Sequence, residues 1–182
     1  SGRKPMNARR LSSRAALGVH GLMARAHTVT GDGGGDGVSW TDPINWAGNV
    51  LPGPTSTVVI TGSGTTVVAS GSFTVKNLQC DGAFVITNGN FTVTNGVSFV
   101  NGLLTIAATR SLNASGSNTT FTANGAVSAT NSDLYVTAGA RITLNGLRQH
   151  GGRAMAVNGN KWPAARQAGV LEFPALPNLS WA

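Results

Sequence analysis

Through residues 55–146 apolar and polar side chains alternate in short bursts, and no apolar stripe keeps the 3.6-residue spacing of a helix. Phe84 and Ile86, Leu134 and Val136, and Ile142 and Leu144 each flank a single residue, the period of a strand that buries one face. The pattern predicts strands over 57–61, 66–69, 73–76, 84–87, 91–94, 97–100, 103–107, 118–122, 134–137 and 141–145, with turn residues every six to ten positions. Val75, Phe84, Ile86, Val93, Phe99, Ile106, Leu134, Val136, Ile142 and Leu144 are expected to point inward. Proline cannot donate to a strand ladder, and Pro5, Pro43, Pro52, Pro54, Pro163, Pro174 and Pro177 all lie outside 55–162. The fold class is all-β.

Spacing discriminates among β architectures. Asn-Gly pairs fall at Asn88, Asn95, Asn101, Asn124, Asn145 and Asn158. In isolation such a pair favours a type I′ hairpin. Here the steps run 7, 6, 23 and 21 residues from Asn88 to Asn145, which fits tight corners between short strands, three to a coil of twenty or so residues. Phe73-Thr74-Val75 before Lys76-Asn77 returns as Phe91-Thr92-Val93 before Thr94-Asn95, with a degraded copy at Phe121-Thr122-Ala123-Asn124. Imperfect repetition of this length marks a solenoid. The expectation is a short right-handed parallel β-solenoid (β-helix) of four to five coils. Its inward side chains stack in columns, and its corner asparagines hydrogen-bond from coil to coil. The competing architecture is a β-sandwich or jelly roll closed by Asn-Gly hairpins.

Composition divides the chain into a basic leader (1–30), a Gly/Trp/Pro-rich N-terminal cap (31–54), the solenoid core (55–146) and a C-terminal cap or tail (147–182). The net charge of +7 is confined to the ends. The leader carries Arg3, Lys4, Arg9, Arg10, Arg14 and Arg25 without an acid, whereas Lys76, Arg110 and Arg141 face Asp32, Asp36, Asp42, Asp81 and Asp133 in the middle. A nucleic-acid surface gathers cations on one face beside stacking aromatics, so the core is not expected to bind nucleic acid. No run reaches the length of a membrane span. The leader has the outline of a secretory signal, with an Ala24-Arg25-Ala26 cleavage pattern. It also reads as an amphipathic helix with Leu11, Ala15, Leu22 and Ala26 on one face, capping the β domain.

Candidate chemistry is sparse. Asp32 and Asp36 in the glycine-rich run 31–37 are weak Ca²⁺ candidates, through oxygen ligation on a loop that matches no EF-hand spacing. The same glycines lack the Lys-Ser/Thr of a phosphate loop. His20, His27 and His150 have no zinc spacing partner. Lys76, Arg110, Arg141, Asp81 and Asp133 read as scattered solvated positions rather than the clustered base and cation of a lyase. Cys80, the single cysteine, reads as a buried small hydrophobe. No catalytic residue, cofactor or enzymatic activity is expected.

The block Trp40-Thr41-Asp42-Pro43-Ile44-Asn45-Trp46 followed by Pro52 and by Val58-Val59-Ile60 resembles an element that opens right-handed parallel β-helices in bacterial secreted and surface proteins, many adhesin-like or matrix proteins and some carbohydrate-active. An acidic residue usual before that strand is replaced by Thr55 and Ser56. The resemblance implies a secreted or surface location and a structural or adhesive role. Trp40 and Trp46 either cover the open end of the first coil or form a sugar-stacking platform. Expected partners are other copies of the chain, in oligomers or filaments, or a carbohydrate. The alternatives are a carbohydrate-binding or polysaccharide-lyase-like β-helix, and a capsid-like shell protein with a basic arm.

Overall fold

Runs of β-branched and aromatic residues, interrupted every few positions by Gly, Asn or Ser, are too short for a flat open sheet, and they turn a corner at each interruption. The computed structural model describes residues 27–129, 131–147, 155–157, 160–161, 170–172 and Pro174. The leader up to residue 26 and most of the tail lie outside the described residues, and with them the signal and capping-helix readings.

The strands wind into a parallel β-solenoid with three faces. The first face stacks β1 (His27–Thr30), β2 (Ser56–Ile60), β5 (Asn77–Cys80), β8 (Gly96–Val100), the first half of β11 (Thr119–Ser128), β13 (Arg141–Leu147) and β16 (Val170–Glu172). On the second, β3 (Thr66–Ser70), β6 (Ala83–Asn88), β9 (Leu104–Ile106) and the second half of β11 follow one another. The third carries β4 (Phe73–Val75), β7 (Asn90–Val93), β10 (Ser111–Ser115), β12 (Asp133–Thr137) and β14 (Met155–Val157), with β15 (Asn160–Lys161) antiparallel to β14. The strands on either side of Asn95-Gly96 lie on different faces, so that pair turns a corner and closes no hairpin. This excludes the sandwich and jelly roll.

Register reproduces the spacing read from the sequence. Thr57 stacks on Asn77 and Gln79 on Phe99, 20 residues on, while Val97 meets Thr120 at 23 and Thr120 meets Arg141 at 21. Inward residues form columns. Ile60, Cys80, Val100, Ala123 and Leu144 make one, Val75, Val93, Ala114 and Val136 another, and Phe73, Phe91, Leu112 and Leu134 a third. All but Phe73 are buried.

Several expectations need correction. Phe99 is not inward. Val100 enters the column with Cys80, so alternation turns Ser98 in and Phe99 out, and the buried Ser98 Oγ accepts the Leu78 N–H at 3.1 Å. Phe121-Thr122-Ala123 is not a third copy of the Phe-Thr-Val strand. It lies on the first face, and Leu112-Asn113-Ala114 continues the Phe73 and Phe91 strands. Residues 27–30, assigned to the leader, form a strand paired with β2. Strands β5 and β10 were not anticipated, because Asn-Leu-Gln-Cys and Ser-Leu-Asn-Ala-Ser have low strand propensity and are held by the coils on either side.

Candidate functional site

Two constructions lie outside the repeating columns: the cap under the first coil and a side-chain ladder along one corner. The cap starts from β1, which lays a strand on the open edge of β2. The chain then crosses to the second face, where Trp40 N–H donates to Val68 O at 3.0 Å and Val68 N–H to Val38 O at 2.9 Å. A short 3₁₀ turn, Pro43–Asn45, follows, with proline in its first turn and the Asp42 carboxylate accepting the Ile44 N–H at 3.0 Å. This turn drops Trp46 back beside Gly31.

Asn45 ties the glycine-rich loop together. Its buried carboxamide donates to Asp36 Oδ1 (2.6 Å) and Ser39 O (2.9 Å) and accepts from Gly35 N–H (3.1 Å) and Gly37 N–H (2.8 Å). All four of its hydrogen-bonding capacities are used. Gly35 fits here because a Cβ would collide with the Asp42 carboxylate and with Asn45. The sequence reading has Asn45 only as a member of the Trp40–Trp46 block and gives it no role of its own. Its signal was the polar residue fixed between Pro43 and Trp46.

Of the calcium candidates, Asp36 turns Oδ1 to three donors: Ser39 N–H (2.7 Å), Asn45 Nδ2 and Val38 N–H (2.9 Å). These donors, Ser39 first, hold its carboxyl below the usual carboxylate range. Asp32 Oδ1 accepts the Gly34 N–H at 3.2 Å. Each carboxylate thus stabilises the turn that follows it. No three His, Cys, Asp or Glu groups among the described residues come together as a metal-holding set.

Trp40 and Trp46 are 0% and 1% exposed and meet edge-on, with centroids 4.8 Å apart. Trp46 Nε1 donates to Trp40 O at 2.9 Å. The Trp40 ring reaches Phe91 at 5.2 Å, Phe73 at 5.5 Å and Phe84 at 5.8 Å, so it plugs the lumen of the solenoid. A sugar ring needs an open indole face, and neither indole offers one. Between the cap loop and the corner at Thr61–Thr65 lies a cleft of about 240 Å³, bordered by Asp32, Ser39, Trp46, Ile60 and Val67.

The ladder rises along the corner between the first and second faces. Asn101 Nδ2 donates to Asp81 Oδ1 (3.0 Å), Asn124 Nδ2 to Asn101 Oδ1 (2.8 Å) and Asn145 Nδ2 to Asn124 Oδ1 (3.2 Å). Every bond points the same way and ends on a carboxylate, which only accepts. The following glycines, Gly82, Gly102, Gly125 and Gly146, stack so closely that a Cβ on any of them would lie within 3.0 Å of backbone below.

The structure disperses the charged positions. Arg110 precedes β10 on the third face, whereas Arg141 opens β13 on the first and forms an ion pair with Glu172. That pair and the Thr143 hydroxyl pull the Glu172 carboxyl below its ordinary range. Cys80 is fully buried, and burial pushes its thiol up to about 11, so no thiolate is present at neutral pH. His27 lies in β1, and His20 and His150 lie outside the described residues. No protein-family model matches the chain, and neither the curated proteins nor the solved structures contain a match.

Proposed function

We propose that the chain is a non-catalytic structural or adhesive module of a secreted or surface-associated bacterial protein, and that it associates with copies of itself. One observation carries this reading: the cap closes the first coil unevenly. Strand β1 covers the edge of β2, and residues 38–40 cover β3, but among the described residues β4 pairs only with β7. A free parallel edge on a proline-free, nearly uncharged solenoid is a template for another strand. Partly exposed Phe99 and Val97, which is 61% exposed, add apolar area on the first face.

Light scattering and electron microscopy of the full chain beside Thr74→Lys test this. Thr74 is the central residue of β4, and an edge lysine opposes strand addition. The full chain is expected to form oligomers or filaments at micromolar concentration, and Thr74→Lys to weaken them while keeping the same unfolding temperature. A strictly monomeric full chain, or undiminished association of Thr74→Lys, would overturn the proposal.

A further inference from the structure

Five Asn-Gly pairs fall within the described residues, at Asn88, Asn95, Asn101, Asn124 and Asn145. Chemically such a pair is a latent reaction. The glycine nitrogen is one ring closure away from the asparagine side-chain carbonyl carbon, and glycine has no Cβ to obstruct the approach. What differs among the five is how the fold holds the two reacting groups.

At four of them at least one of the two groups is engaged elsewhere. Gly96 N–H is committed to Asn118 O at 2.9 Å, and Gly102 N–H to Gly82 O at 3.1 Å. The carboxamides of Asn101, Asn124 and Asn145 are fixed in the corner ladder. Their glycines are stacked so closely on the coil below that a Cβ on any of them would meet its backbone. Asn88 is different. It ends β6 exposed to solvent, and the N–H of Gly89 points at Asn88 Oδ1 from 3.0 Å. That bond keeps the Asn88 carboxamide folded back toward the Gly89 nitrogen, with the electrophilic Cγ one bond beyond Oδ1, in a corner where Gly89 has φ +67°.

We propose that Asn88-Gly89 is a site of spontaneous covalent modification, through succinimide formation with loss of ammonia. Gly89 N gives its proton to solvent base and bonds to Asn88 Cγ. The bond from Cγ to the side-chain nitrogen breaks, and that nitrogen leaves as ammonia after taking a proton back. Water then adds to one ring carbonyl and opens the ring, leaving aspartate or an iso-aspartyl linkage at position 88. One water enters, one ammonia leaves, and nothing is oxidised or reduced. The iso-aspartyl product inserts a methylene into the backbone where Gly71 N–H donates to Asn88 O at 3.0 Å and Ser70 pairs with Asn88. It therefore loosens the corner that leads into β4.

The test incubates the folded full chain in mildly alkaline buffer at physiological temperature, beside the same chain in urea. Both are digested and mapped by mass spectrometry, with fragmentation that separates aspartate from iso-aspartate. Folded, position 88 is expected to convert on the order of tenfold faster than positions 95, 101, 124 and 145, a barrier difference that the pre-set contact and the ladder together supply. In urea the five rates are expected to converge. Conversion at 88 no faster than at the ladder positions in the folded chain, or the same ranking in urea as in the fold, would overturn the proposal.

Discussion

Asn124 donates its Nδ2 to Oδ1 of Asn101 across 2.8 Å of space and 23 residues of chain. The direction of that bond matters as much as its existence, because it is repeated above at Asn145 and below at Asp81. A ladder of amides must have every carboxamide turned the same way, and the carboxylate at the bottom sets which way.

Asn124→Ala removes one bond down and one bond up at an exposed corner, which costs about 1 kcal/mol. Asn124→Asp is expected to cost more at neutral pH, because a carboxylate oxygen then faces the Asn101 oxygen where a donor belongs. Below the carboxylate range the protonated acid regains a donor, so the deficit shrinks. Thermal unfolding of both variants at neutral and acidic pH checks this. An Asn124→Asp protein as stable as Asn124→Ala at neutral pH would remove directionality from the account.

Glycine stacking makes a second prediction, with its own control. A Cβ at Gly146 would meet Gly125 O and Ala126 Cα closer than 3.0 Å, whereas one at Gly64 meets nothing within 4 Å. Gly146→Ala is expected to destabilise by about 3 kcal/mol, since the neighbouring group is rigid backbone, and Gly64→Ala by less than about 0.5 kcal/mol. Denaturant unfolding of the two variants compares them directly.

The same glycines show what was legible beforehand. The spacing between Asn101, Asn124 and Asn145 was visible in the sequence because a ladder fixes both residue type and position in every coil. Phe73 and Phe91 were paired correctly for the same reason, since identical strands stack in register. Strand β10 escaped because its inward Leu112 and Ala114 are kept in line by neighbouring coils and not by local preference. Phe99 misled because an aromatic reads as core, while facing direction is decided by the register that puts its neighbour Val100 in the column with Cys80. In the cap, Trp40, Trp46, Asp32 and Asp36 were noticed as unusual, but their roles depend on Asn45, an asparagine with no repeat to mark it.

Burial at 0% exposure and a thiol pushed up to about 11 predict that Cys80 stays inert in the folded protein. A thiol reagent at neutral to mildly alkaline pH should label it only after denaturation. Rapid labelling of the folded chain would mean that the second coil opens readily.

Asp36 predicts an acid-sensitive cap. Its folded pKa lies below the ordinary carboxylate value, with Ser39 N–H, Asn45 and Val38 N–H as the causes. A depressed carboxylate contributes stability that is present above its unfolded pKa and lost as pH falls through its folded one. Cap stability is therefore expected to hold from neutrality down to the ordinary carboxylate range and then to fall. Asp36→Asn should flatten that acid limb. Tryptophan fluorescence during thermal unfolding, followed from neutral to acidic pH, reports it, and an unchanged limb in the variant would count against the assignment.

The two indoles of the plug carry unequal polar obligations. Trp46 Nε1 is satisfied by Trp40 O, whereas the buried Nε1 of Trp40 has no partner among the described residues. Both rings fill the same lumen, and truncating either to alanine should cost about 3–5 kcal/mol through the cavity left behind. Replacement by phenylalanine separates them. Trp46→Phe gives up a good hydrogen bond and leaves the Trp40 carbonyl short of a donor, adding about 1 kcal/mol to its volume loss. Trp40→Phe discards an N–H whose burial was already unfavourable, so part of its volume loss is offset. The phenyl ring can still pack against Phe91, 5.2 Å away in the native plug, and against Phe84 and Phe73. Denaturant titration should therefore rank Trp40→Phe as the more stable of the two. The reverse order would mean that the indole Nε1–H of Trp40 is hydrogen-bonded in the folded chain.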